Sequence, residues 1–144
     1  MKLDRAGIAA LIPHAGTMCL LDGLLVCSAE EIVCIAHHQA DPAHPLRTAS
    51  GLLAPAAAEY ASQAMALHGA LNAPQGARPR AGFLAALRGM TMHATRLDDA
   101  PGALLVRAVH LAGDARQALY RFELRDGAER LLVEGRATVV LDAA

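Results

Sequence analysis

Lysine is nearly missing from this chain: Lys2 is the only one among 13 basic residues. Tryptophan is absent and aromatic residues make up 3%, which excludes a surface built to stack nucleobases. Neither sign of charge is in excess. The 13 basic residues face 14 acidic ones for a net charge of −1, which argues against a nucleic-acid or anionic-membrane surface. No long hydrophobic run occurs. The longest apolar stretch, 51–71, contains Glu59, Ser62, Gln63 and His68 and is too polar to span a membrane. The start, Met1-Lys2-Leu3-Asp4-Arg5, has no apolar run behind it and does not read as a signal peptide. A cytoplasmic location is therefore expected. Cysteine is scarce and odd in number: Cys19, Cys27 and Cys34, with no C-x-x-C. The three read as small buried residues in a reducing compartment, not as a disulfide frame or zinc site. P-loop, dinucleotide-binding, G-x-S-x-G and H-E-x-x-H motifs are all missing.

What is present is apolar and small. Hydrophobic residues are 54% of the 144, and 33 residues are alanine. That length and composition predict one globular domain covering 1–144. Asp4 is placed to cap a short helix reaching about Leu11, before Pro13. Met18–Cys27 and Glu31–His38 read as two strands around the turn Ser28-Ala29-Glu30. Pro42 and Pro45 make 39–50 a loop. The stretch from Gly51 to about Ala70 is the one long helical candidate, alanine-rich and with Pro55 in its first turn. Being apolar nearly all round, it is expected to be wrapped on most sides. Four strands follow, at 83–95 with a bulge at Gly89, 103–111, 118–125 and 131–141, with Asp126-Gly127 as a hairpin signal. The simplest assembly is one antiparallel sheet wrapped around one long central helix, an α+β fold. Its open sheet edge invites a second subunit.

Chemistry then has to come from polar groups in apolar surroundings. Glu59 sits near the start of the apolar helix, where a carboxylate suits general acid work or a salt bridge. Gln63, four residues on, is about 40° round the helix and shares its face. It is placed to orient that carboxylate or to satisfy backbone groups. His14 lies in a loop between an apolar helix and an apolar strand, where it either lines a pocket or faces solvent. His68 is nine residues after Glu59, roughly 180° away, and reads as a C-terminal histidine favoured by the helix dipole. His37 and His38 point to opposite sides, and His93 and His110 stand at isolated strand positions. No histidine pair has ligand spacing, so neither metal nor cofactor is expected.

Three segments, in order, resemble the hotdog-fold thioester enzymes. They are similar above all to the 3-hydroxyacyl-ACP dehydratases and to the divergent dehydratase-like proteins of aryl polyene and related fatty-acid-type or polyketide pathways. The first segment is Ile12-Pro13-His14-Ala15-Gly16-Thr17-Met18-Cys19-Leu20-Leu21-Asp22. The second is Glu59-Tyr60-Ala61-Ser62-Gln63-Ala64-Met65-Ala66, a Glu-x-x-x-Gln helix. The third is Gly82-Phe83-Leu84-Ala85-Ala86-Leu87-Arg88. Together they span nearly the whole chain.

The resemblance implies a hotdog fold and a homodimer or heterodimer with another hotdog subunit, with acyl tunnels at the interface. It implies a lyase, dehydrating a 3-hydroxyacyl thioester of an acyl carrier protein or CoA to the trans-2-enoyl thioester. In that chemistry a histidine takes the α-proton and a carboxylate on the central helix, from the other subunit, helps expel the hydroxyl as water. A backbone N–H at the helix start polarises the thioester carbonyl. Two positions depart from the main dehydratases. Where they carry the histidine of the pre-helix loop this chain has Pro45, with His44 one residue earlier; their helix-start glycine is matched by Ala54, with Gly51 three residues before it. His14 is the base the dehydratase-like branch implies. His44, between prolines, is expected to be solvated and poorly aimed. Gln63, His44, Gly51 and Ala54 are candidate substrate-binding or orienting residues. The alternatives are an acyl thioesterase, with a carboxylate activating water, and a non-catalytic hotdog partner of an active dehydratase.

Overall fold

The computed structural model describes residues 3–12, 18–73 and 82–141. Helix α1 is Arg5–Ala9, capped by the Asp4 carboxylate, which accepts from Gly7 N–H at 2.9 Å. Strands β1 (Gly23–Cys27) and β2 (Glu31–Ala36) follow. A 3₁₀ turn, Ala54–Ala56, leads into helix α2, Ala57–Leu71. Strands β3 (Gly82–Met92), β4 (Leu104–Gly113), β5 (Gln117–Arg125) and β6 (Leu131–Leu141) complete the order. The expected element sequence is therefore the one observed.

All neighbouring strands are antiparallel, in the order β1-β2-β4-β5-β6-β3. The inner face of the sheet curls around α2, which rests on β2, β4 and β5. Alternation produces that face. Ile32, Cys34 and Ala36 of β2, Leu104, Val106 and Ala108 of β4, and Tyr120, Phe122 and Leu124 of β5 are buried. Tyr60, Ala61, Ala64 and Leu67 meet them from the helix, each fully buried. Burying one large side chain of this kind contributes about 1.5–3 kcal/mol.

Four expectations change in detail. Met18–Asp22 is not strand, because its backbone is engaged by the helix, as described below. The helix begins later than Gly51, since Leu52 and Leu53 run extended against the segment after β3: Leu97 N–H donates to Leu52 O at 2.7 Å. The helix is not wrapped all round: Ala58, Glu59, Ser62, Ala66 and Gly69 form a half-open to exposed stripe. Cys27 is exposed, unlike Cys19 and Cys34, because β1 is an edge strand with a bulge after Leu24. The bulge expected in β3 is present. Gly89 adopts φ +57°, between the Arg88 and Thr91 pairings with β6. The edge strand β3 leaves Leu84, Leu87 and Met92 38%, 39% and 49% exposed.

Candidate active site at the start of the central helix

Geometry at the helix start is fixed by one carboxylate. Asp98, its side chain 6% exposed, accepts from Leu52 N–H at 3.1 Å and pairs with Arg96 and Arg47. The Arg96 guanidinium holds the Asp98 carboxyl well below the usual carboxylate range. Gly51 lies directly beneath, at φ +106°; a Cβ there would sit 2.6 Å from the Arg96 guanidinium and 2.8 Å from Asp98. Gly51 is thus a residue of close approach. Ala54 N–H donates to Thr95 O at 3.0 Å, so this amide is already engaged and does not point free at a ligand.

One turn further, Glu59 lines a groove of about 460 Å³ with Leu46, Leu53, Pro55, Ala58 and Leu84. Its neighbour Gln63 is fully buried and all its amide atoms are used. Nε2 donates to Glu59 Oε1 at 3.2 Å and to Met18 O at 2.7 Å, while Oε1 accepts from Leu20 N–H at 2.8 Å. Both roles expected of Gln63 are present at once: it orients the carboxylate and satisfies backbone groups across 43–45 residues of sequence. The residues it grips follow directly on 13–17. His14 itself lies outside the described residues.

His44 is not solvated, contrary to expectation. It is 7% exposed, and burial pushes its imidazole pKa down. Leu46 N–H donates to Nδ1 at 3.1 Å, which leaves the proton on Nε2, donated to Tyr60 Oη at 2.9 Å. The prolines flanking it fold the loop inward onto the helix. His44 lines a separate cavity of about 110 Å³ with Cys19 and His38. The described cavities do not bring His44 and Glu59 together.

Sequence reasoning also missed a cluster at the far end of α2. His68 is 3% exposed; its Nδ1 accepts from Tyr120 Oη at 2.7 Å and its Nε2 donates to Ser28 O at 2.9 Å. Burial lowers its pKa, so the helix dipole does not hold it as a cation. His110 is not isolated, since it pairs with Tyr120 across β4 and β5 and stacks edge-on at 5.3 Å. Both tyrosines of the chain end on a histidine. The available signal was that a buried phenol needs a partner.

A protein-family profile described as ApeP dehydratase, ApeP-like, matches residues 6–143. The antiparallel sheet around one helix makes this a hotdog-fold protein, and the chain belongs to the ApeP-like dehydratase family. The activity of that family is a dehydratase's, that of a lyase. Among solved structures it is similar to the dehydratase heterocomplex ApeI:P from Xenorhabdus doucetiae (TM-score 0.82, 19% identity, 94% of this chain and 90% of that one). It is also similar to a thioesterase from Haemophilus influenzae (TM-score 0.68, 13% identity, 97% and 91% covered). A thioesterase variant from Pseudomonas aeruginosa gives a TM-score of 0.70 at 12% identity, with 96% and 94% covered. No curated protein sequence matches the chain. No helix among the described residues is long and apolar enough to cross a membrane.

Proposed function

We propose that the chain, as a single hotdog domain, dehydrates a 3-hydroxyacyl group carried as a thioester on an acyl carrier protein or CoA in fatty-acid or polyene-type biosynthesis. Glu59 is the general acid and His14 the base. The observation that carries this reading is the Glu59 carboxylate, held by Gln63 at the edge of an open apolar groove. The base removes the proton on the carbon next to the thioester carbonyl. Electrons move into the forming carbon–carbon double bond, and Glu59 protonates the departing hydroxyl, releasing water. Gln63 fixes the carboxylate and bonds the backbone of Met18 and Leu20. A carboxylate held in this way suits the proton transfer, because orientation decides the rate.

The active unit is a pair of hotdog subunits, two copies or this chain with a related one. The half-open stripe of Glu59, Ser62, Ala66 and Gly69 on α2 and the exposed edge of β3 support pairing. The described thiols are unbridged, in keeping with a cytoplasmic setting. The test is product analysis of a 3-hydroxyacyl thioester incubated with the chain alone and with a second, related hotdog subunit. Enoyl thioester and water are expected. Release of free thiol would indicate a thioesterase, and turnover that survives loss of Glu59 only in the mixed complex would make this the non-catalytic subunit.

A further inference from the structure

A further cavity, of about 530 Å³, opens between the C-terminal end of α2 and the tip of the β4–β5 hairpin. Its volume is that of a small-molecule site. His68 of α2, Asn72 at the end of that helix, His110 of β4, Asp114 of the hairpin turn and Tyr120 of β5 form its polar walls. The dehydration chemistry uses none of them. His68 follows Glu59 by nine residues, roughly 180° round the helix. Gly113 and Ala118 line the cavity with little bulk. A Cβ on Gly113 would lie 2.9 Å from His110 Nε2, so the glycine leaves room for that imidazole against the strand end.

The hydrogen bonds already made decide what this cavity can still bind. His68 is used at both ring nitrogens, by Tyr120 and by Ser28 O. The Asn72 amide nitrogen donates to Ser28 O and to His68 O, which leaves the side-chain oxygen as an acceptor. Asp114 Oδ1 accepts from Arg116 N–H and Gln117 N–H, which leaves Oδ2. The Tyr120 hydroxyl donates to His68 and keeps a lone pair. The His110 ring makes no hydrogen bond among the described residues, so its neutral form adds one acceptor and one donor. The remaining capacity is acceptors, with a single N–H among them. No ion pair engages Asp114 among the described residues, and Arg116 acts on it only at a distance. Among the described residues no lysine or arginine lines the cavity. The C-terminal end of a helix adds negative potential.

We propose that this cavity binds the head group of an alkylguanidinium or alkylammonium. Asp114 supplies the countercharge, and Asn72, Tyr120 and His110 accept the remaining N–H groups. An anion would meet the Asp114 carboxylate and the negative end of the helix, with one N–H to hold it. A purely apolar ligand would cover these polar groups and leave them unpaired. Bound there, the cation joins the end of α2 to the β4–β5 turn, so binding also stabilises the fold. The site is remote from Glu59 and does not depend on the dehydratase reading.

The experiment titrates the full chain at fixed pH with butylguanidinium, with butylurea as its uncharged isostere and with pentanoate as an anion. The NMR signals of the histidine rings report binding, and His110→Ala assigns the signal of that ring. Butylguanidinium should shift the His68 and His110 signals saturably and raise the melting temperature. Butylurea should bind on the order of tenfold more weakly, because its hydrogen bonds lack the charge. Asp114→Asn keeps an oxygen for the two turn N–H groups and removes the charge, so it should weaken butylguanidinium by a similar factor. Thermal unfolding checks that the variants fold, and the comparison with butylurea needs no variant. A capped Ala-Arg-Ala peptide carries the same head group on a protein side chain. Preference for the free cation assigns the site to a small molecule, and preference for the peptide to a partner's arginine. Equal binding of butylurea, tighter binding of pentanoate, or indifference to Asp114→Asn would overturn the proposal. Because the readout is binding, a loss of dehydration alone leaves this proposal standing.

Discussion

Gln63, fully buried on the central helix, accepts the N–H of Leu20 at 2.8 Å while its amide nitrogen holds Met18 O and the Glu59 carboxylate. One side chain thus ties the N-terminal segment, the helix and the candidate acid together. Gln63→Leu keeps the volume roughly and removes every one of these bonds. The buried N–H of Leu20 is then left without its partner, at about 1–3 kcal/mol, while the carbonyl of the exposed Met18 turns to water. Urea unfolding should show a loss of that order, with activity falling as well. An unchanged midpoint would mean that water replaces the amide.

Gly51→Ala should destabilise the helix start. The new methyl meets the Arg96–Asp98 pair at 2.6–2.9 Å, and the backbone is at φ +106°. A strained residue of this kind costs on the order of 1–3 kcal/mol. Gly69→Ala is the control, since a Cβ there meets nothing within 4 Å. It should be neutral or stabilising, because alanine favours a helix over glycine. Differential scanning calorimetry of the two variants separates them.

Stability should fall as pH drops from about 7.5 to 5. His44 and His68 both have folded pKa values below the ordinary histidine value, through burial. The unfolded chain therefore binds more protons than the folded one in this window, and stability rises with pH through it. Asp98 works at the acid end. Its depressed pKa contributes stability above the ordinary carboxylate range that is lost progressively as pH falls through that range and below it. Denaturation at stepped pH should show a shallower slope near pH 6 in His68→Gln, and no change in slope would exclude His68 from the linkage.

How much of this was legible in the sequence follows from how local each signal is. Strand periodicity, the alanine-rich helix and the Glu59–Gln63 spacing are written within a few residues and are all observed. The retraction of β1 to Gly23 was not legible, because Gln63 competes for the Met18 and Leu20 backbone from 43–45 residues away. His44 was misread for the same reason. Its polar, proline-flanked surroundings indicate solvent, but Tyr60 offers a hydroxyl that only the folded helix brings within 2.9 Å. The His68–Tyr120–His110 cluster depends on the register of β4 with β5, which no single segment encodes.

His14 and His44 divide the candidate base between them, and the buried, doubly bonded imidazole of His44 favours a structural part for that residue. His14→Ala should abolish dehydration with little change in melting temperature. His44→Ala should lower the melting temperature, leaving Tyr60 without its partner, and reduce the rate less. Enoyl absorbance and thermal melts on both variants check this, and a reversed pattern would make His44 the base.

The central claim is that Glu59 supplies the proton to the leaving hydroxyl. Glu59→Gln preserves size and leaves an oxygen to accept from Gln63, so the fold is retained. Single-turnover dehydration of a 3-hydroxyacyl thioester, followed by enoyl absorbance, should slow by roughly 100- to 10,000-fold in the variant. A rate within a factor of about two of wild type, well short of any general-acid contribution, would contradict the account.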